Sequence, residues 1–227
     1  IMPFPFILVA IIVGGAIVTA IIGSVIYHFV NADVDVRPAN YEDKADVTIL
    51  FVGETEAGKD TVIELIKTRK FLEKHEKTPA FNTIAATISY KSNTISIGSA
   101  TTDIDYKDKI KIKIINTSGS EHTWKDTEEA TNLPHDIRCY IFDARRFYNE
   151  ENIKFGIQST INECKEKNIK YISLGTRGDE VDKEKIENEV RSMGMECSIF
   201  ELSKAPAEEV IKFLFRSIYD SCNSSRK

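Results

Sequence analysis

The chain has 227 residues, enough for one α/β domain plus an appendage, and carries 30 basic against 35 acidic side chains for a formal net charge of −5. That balance leaves no basic footprint, so nucleic acid is not expected as a partner. Its four cysteines (Cys139, Cys164, Cys197, Cys222) form no Cys-x-x-Cys pair and read as reduced structural thiols of a cytosolic compartment, not as zinc ligands.

The first element is apolar. Phe4 to Val30 contains no Asp, Glu, Lys or Arg. At ~1.5 Å per helical residue this stretch crosses a ~30 Å hydrocarbon core with some tilt. It is apolar on all sides, unlike a helix on the face of a soluble domain. A signal peptide would need a basic start, a shorter apolar run and a small-x-small cleavage site, and Val30-Asn31-Ala32 is a poor match. Residues 1–30 are therefore expected to form a transmembrane helix. Residues 31–45, with Pro38 and mixed polar residues, are expected to be a linker, 46–222 a soluble domain and 223–227 a polar tail. Asp33, Asp35, Arg37 and Lys44 leave the positive-inside rule nearly silent about orientation.

Asp46 to Val52 is an apolar, β-rich run, and Lys59 to Lys70 has a helical pattern through Val62, Ile63, Leu65 and Ile66. Phe71 to Ala86, with Pro79, reads as a loop. Thr87 to Tyr90 and Thr94 to Ile97 read as short strands, and Ser99 to Lys109 as a polar connection. Lys109 to Ile115 alternates Lys and Ile, the period of a strand with one buried face. Then come strand Ile137 to Phe142, helix Glu150 to Lys167, strand Lys170 to Leu174, helix Val181 to Met193, strand Cys197 to Leu202 and helix Pro206 to Tyr219. Strands alternating with helices predict an α/β fold, a mostly parallel sheet flanked by helices, with ligands at the carboxyl ends of the strands.

The chemistry-bearing motifs sit at those strand ends. Gly53 to Thr61 reads Gly-Glu-Thr-Glu-Ala-Gly-Lys-Asp-Thr between a strand and a helix, the phosphate-binding P-loop arrangement. Gly53 and Gly58 let the backbone of Glu54, Thr55, Glu56 and Ala57 turn its N–H groups toward an anion, and the helix adds the positive end of its dipole. Lys59 supplies a point charge for the outer phosphates. The usual Ser or Thr after this lysine, whose hydroxyl binds Mg²⁺, is Asp60, with Thr61 one place late. Asn116-Thr117-Ser118-Gly119 follows Ile115, Thr176-Arg177-Gly178-Asp179 follows Leu174 and Gly175, and Ser203-Lys204-Ala205 follows the last strand.

In order and spacing these motifs resemble the small GTPases of the Ras and Arf type over residues 46–222, which implies a Ras-like P-loop NTPase fold binding GTP or GDP with Mg²⁺. The resemblance implies that Asp179 accepts the guanine N1–H and 2-amino donors. Thr176 and Arg177 stand where Asn and Lys are commoner, and Ser203 with the Lys204 backbone would complete the base pocket. Asn116 stands at the position of the Asp that holds Mg²⁺ through water. Gly119 would meet the γ-phosphate through its N–H, and Thr83, in Phe81-Asn82-Thr83-Ile84, would be the switch threonine, with Thr78 and Thr87 as alternatives. Lys59, Thr83 and Gly119 thus take the catalytic roles, and Asp60, Thr83 and Asn116 the metal roles. Two readings stand side by side: the carboxylate missing at Asn116 has moved to Asp60, which leaves the formal charge around a cation unchanged and makes Asp60 a candidate direct ligand, or both changes mark a loss of metal binding. Ser120 replaces the family's water-orienting Gln and is too short for its task; His122 would serve only if its loop curls back. Arg145 and Arg146 read as surface salt-bridge residues ahead of phosphate-facing cations.

One apolar N-terminal span before such a domain is also the architecture of the β subunit of the signal recognition particle receptor and of bacterial membrane-tethered GTPases. The resemblance implies a single-pass membrane protein with its nucleotide domain in the cytoplasm. It would be a switch with slow GTP hydrolysis, served by an effector or activating protein. The alternative is a non-hydrolysing pseudo-GTPase acting as a membrane scaffold.

Overall fold

Alternating side chains set the layers of this chain. In the computed structural model the described residues are 33–38, 44–68, 70–71, 81–89, 93–97, 100–104, 109–117 and 132–204, together with Glu209, Val210, Phe213, Leu214 and Ser217. In chain order the elements are β1 (Asp33–Pro38), β2 (Val47–Val52), α1 (Lys59–Thr68), β3 (Phe81–Ser89), β4 (Asn93–Ile97), β5 (Ala100–Ile104), β6 (Lys109–Thr117), β7 (Ile137–Asp143), α2 (Glu151–Glu166), β8 (Lys170–Thr176), α3 (Lys183–Ser192) and β9 (Glu196–Ile199).

Seven strands form one sheet in the order β1-β3-β6-β2-β7-β8-β9. From β6 through β2, β7 and β8 to β9 every pairing is parallel. Parallel neighbours need crossover connections, and α2 and α3 supply them for β7-β8 and β8-β9. Along β2, Val47, Ile49 and Phe51 join one apolar cluster with Val62, Ile63, Leu65 and Ile66 of α1 and with Val210, Phe213 and Leu214. Leu50 and Val52 point the other way, into a cluster with Ile153, Ile157 and Ile161 of α2 and Ile186 and Val190 of α3. The sheet is thus covered on both faces. β7, the middle of the five parallel strands, is buried at every residue. Lys113 is only 6% exposed, where the alternation of Lys and Ile suggested an open face.

Three expectations need correction. The segment read as a linker contains β1, which pairs antiparallel with β3 from Asp33↔Ser89 to Pro38↔Ile84. Its Asp-Val-Asp-Val alternation has the strand period, and Pro38 is tolerated because it ends an edge strand. The loop expected over Phe71 to Ala86 gives way to β3 from Phe81, which pairs residue by residue with β6 from Phe81↔Thr117 to Ser89↔Lys109. Asn, Thr and Ala dilute its apolar signal, and a long antiparallel partner outweighs that weak local preference. The polar connection after Ser99 contains β5, which pairs with β4 in a separate two-stranded sheet.

Among the described residues no helix is long and apolar enough to cross a membrane. Residues 1–30, where the span is expected, lie outside the described residues, as does Cys222. Cys139, Cys164 and Cys197 are free and buried; burial pushes the Cys197 thiol up to about 12, so these are packing groups, not reactive ones.

Candidate functional site

The parallel strands β2, β7 and β8 end side by side. Phe51 pairs with Cys139 and Val52 with Tyr140, and Asp143 stands opposite Thr176. The turns leaving these ends therefore lie together, as a doubly wound sheet requires of a ligand site.

The loop from Gly53 to Gly58 is fixed by steric demand. Gly53 has φ +141°, and a Cβ there would lie 2.0 Å from the Ile141 carbonyl oxygen. Gly58 has φ +90°, and its Cβ would lie 2.9 Å from Thr176 Cγ2. Only glycine meets both conditions. Glu56 also takes a left-handed φ of 62°. The loop closes with Ala57 N–H donating to Glu54 O at 3.3 Å, and α1 starts with Val62 N–H donating to Gly58 O at 3.0 Å. Lys59, only 7% exposed, folds back over the loop and donates to Gly53 O at 2.7 Å and Glu54 O at 2.8 Å. Burial holds its pKa near 8, well below 10.5, although the charges of Asp60 and Glu54 work in the opposite direction. The ammonium is thus buried at the start of α1 and held by two loop carbonyls.

Asp60 lies in the first turn of α1. Asn116, 1% exposed at the end of β6, donates its amide N–H to Asp60 Oδ1 at 2.6 Å. The next residue, Thr117, donates its hydroxyl to Phe51 O at 2.9 Å, fixing the end of β6 against the strand that feeds the loop. The two departures from the family pattern are therefore bonded to each other. Among the described residues no group of three or more His, Cys, Asp and Glu is arranged to hold a metal.

Thr176 and Arg177 lie where the base-recognition motif was expected. Thr176, 1% exposed, donates its hydroxyl to Ala57 O at 2.9 Å, tying the end of β8 to the loop between β2 and α1. Arg177 adopts φ 54° and donates from Nη1 to Asp143 Oδ2 at 2.7 Å. Asp179 is held below the usual carboxylate range, chiefly by a hydrogen bond with the Glu201 side chain and then by the charges of Lys204 and Arg145. Gly178 N–H donates to Phe200 O at 3.2 Å, so the turn after β9 packs on the turn after β8. A cavity of about 490 Å³ opens there, lined by Gly178, Asp179, Lys183, Phe200, Glu201 and Lys204 among others. Ser203 lies in the same turn and donates its hydroxyl to Glu201.

Thr83 is the third residue of β3, opposite Ile115 in β6, not in a loop. Gly119, Ser120, His122 and Thr78 lie outside the described residues. Asp143 was given no role in the sequence reading. Asp143, 1% exposed, accepts from Arg145 Nε at 3.2 Å and Nη2 at 3.0 Å as well as from Arg177. Burial pushes its pKa up, but these hydrogen bonds and both arginine charges outweigh that and hold it low. Arg146 clamps Glu150 through Nε and Nη2, donates from Nη1 to Thr55 O at 3.3 Å, and lies 4.0 Å from Glu54. The two arginines are salt-bridged as expected, yet Arg146 also touches the loop between β2 and α1. An acid closing an apolar strand beside two motif-bearing strand ends was the available signal for Asp143.

No protein-family model matches the chain, and no curated protein matches it either.

Proposed function

We propose that this chain is a guanine-nucleotide-binding protein of the Ras-like P-loop type, a switch with slow GTP hydrolysis. In this reading residues 1–30 anchor it to a membrane and the domain faces the cytoplasm. The observation that carries the reading is the loop itself: Gly53 and Gly58 in conformations only glycine fits, with buried Lys59 bonded across it to two carbonyls. Such a loop offers convergent N–H donors and a cation to the β- and γ-phosphates.

The turn after β8 supports guanine. Asp179 is exposed, held in its charged form, and next to a cavity. A carboxylate accepts the two donors of guanine and finds none at those positions on adenine. Thr176, bonded to Ala57, holds base and phosphate sites at a fixed separation. Mg²⁺ binds through one or two carboxylates plus substrate phosphates, and Asp60, beside Lys59 at the helix start, is a hard oxygen donor of that kind. The cation would neutralise phosphate charge as the nucleotide binds. An effector or activating protein would read the bound state.

Ser120 in place of the water-orienting Gln supports slow turnover, and on the same ground favours the second reading, a non-hydrolysing scaffold. Titrating the full chain with fluorescent GDP tests the binding. Lys59→Ala abolishes binding. Asp179→Ala weakens GDP at least about tenfold, since hydrogen bonds to a charged acceptor are worth ~1.5–3 kcal/mol each, while leaving any ATP binding unchanged. Equal loss for both bases would contradict the assignment of Asp179.

A further inference from the structure

We infer that Arg146 is the residue by which this site tells a nucleoside triphosphate from a diphosphate, clamped by Glu150 until a terminal phosphate draws it away. The inference rests on the phosphate-site reading above.

Arg146 lies in the short turn after β7. Its Nε donates to Glu150 Oε1 at 2.6 Å and its Nη2 to Glu150 Oε2, a clamp at both oxygens. The same guanidinium reaches the loop between β2 and α1: Nη1 donates to Thr55 O at 3.3 Å, and Nη2 lies 4.0 Å from Glu54 Oε2. Lys59 marks which end of the loop this is. Its ammonium donates to Gly53 O and Glu54 O, and a lysine so placed reaches the β- and γ-phosphates. Arg146 therefore touches the segment that Lys59 covers, at the outer-phosphate end.

The clamp is built to open. The side chains of Arg146 and Glu150 are 35% and 33% exposed, and an ion pair so placed is worth little in water. A terminal phosphate offers the same planar fork two oxygens and a larger charge. Arg145 is held differently, since its partner Asp143 is 1% exposed and is shared with Arg177. Glu150 also precedes α2, and its side chain makes no capping bond to that helix while it holds Arg146. Released, the carboxylate stands at the positive end of the α2 dipole, which favours it. Both charges of the opened pair thus find a new partner. A diphosphate places nothing at the outer end and leaves the clamp closed.

The experiment measures calorimetric affinities of the full chain for GDP and for GTPγS, a slowly hydrolysed triphosphate, in wild type, Arg146→Ala, Arg146→Lys and Glu150→Gln. The Arg146 Nε–H resonance, assigned by its loss in Arg146→Lys, reports the clamp. Arg146→Ala lowers GTPγS affinity at least about tenfold and GDP affinity less than about twofold, because charge-assisted bonds are lost from the triphosphate alone. Arg146→Lys keeps the charge without the fork and loses part of the triphosphate preference. Glu150→Gln weakens the clamp and raises GTPγS affinity severalfold. In the wild type the resonance shifts with GTPγS and stays with GDP. Equal loss of both nucleotides in Arg146→Ala, an undiminished triphosphate preference in either arginine variant, or a resonance that moves alike with both nucleotides overturns the proposal and leaves the nucleotide site standing. Failure of the wild type to bind either nucleotide overturns both.

Discussion

Lys59 carries the most charge chemistry in the smallest space. Its pKa near 8 means that the folded chain releases this proton well before the unfolded chain does, at 10.5. Across that window the unfolded state binds more protons, so stability rises with pH from about 8 to 10.5 and the strain of the buried ammonium is relieved. Phosphate reverses the shift by favouring the charged form, so nucleotide binding at about pH 9 takes up close to one proton. Calorimetry in two buffers of different ionisation heat reads this directly; identical apparent enthalpies would contradict it. The glycines set the other residue-scale constraint. Gly58→Ala forces a left-handed Cβ toward Thr176, and costs about 1–3 kcal/mol in denaturant unfolding. Gly53→Ala drives its Cβ into backbone rather than a side chain, and destabilises more.

At the scale of elements, the site is an agreement among strand ends. Asp143 at the end of β7 gathers Arg145 and Arg177, so it holds the turn that presents Asp179. Asp143→Asn weakens guanine nucleotide binding without touching the base, and should lower affinity several-fold while Lys59-dependent phosphate binding survives; equal loss of inorganic triphosphate binding would argue for general unfolding. The position of these motifs at the strand ends was legible. Lys59, Thr176 and Asp179 each follow an apolar run at a fixed offset, so local pattern alone placed them. Asp143 and Glu201 were not, because the contacts that tie them to the neighbouring turn come from Arg177 and Asp179, tens of residues away in sequence, which the parallel register brings together. β1 and β3 were missed for the related reason that an antiparallel partner, not local propensity, stabilises them.

For the whole molecule, acid sensitivity follows from its buried arginine. Arg138, its side chain 3% exposed in central β7, donates to Glu163 Oε2 at 2.7 Å. Burial pushes the Glu163 carboxyl up, but Arg138 and Ser159 outweigh this and hold it below 4.5. A depressed carboxylate stabilises the fold above its unfolded pKa, and that contribution is lost as pH falls through the folded value. Because Glu163 is half exposed, its share is about 1 kcal/mol. Denaturant unfolding at pH 7 and near pH 4 shows this loss in the wild type, and Glu163→Gln flattens it. β1 also bears on architecture, since it brings the chain from residues 1–30 to the sheet edge as a paired strand. In the proposed anchoring this leaves a short path between membrane and domain, and a fragment begun at Pro38 removes a strand of the sheet.

The most direct test of the central claim is calorimetric titration of the full chain with GTP, GDP and ATP in Mg²⁺. Saturable binding of GTP and GDP with ATP at least about tenfold weaker is the result required by Lys59 on the phosphates and Asp179 on the base. Binding of all three alike, or of none, would contradict a guanine-nucleotide site.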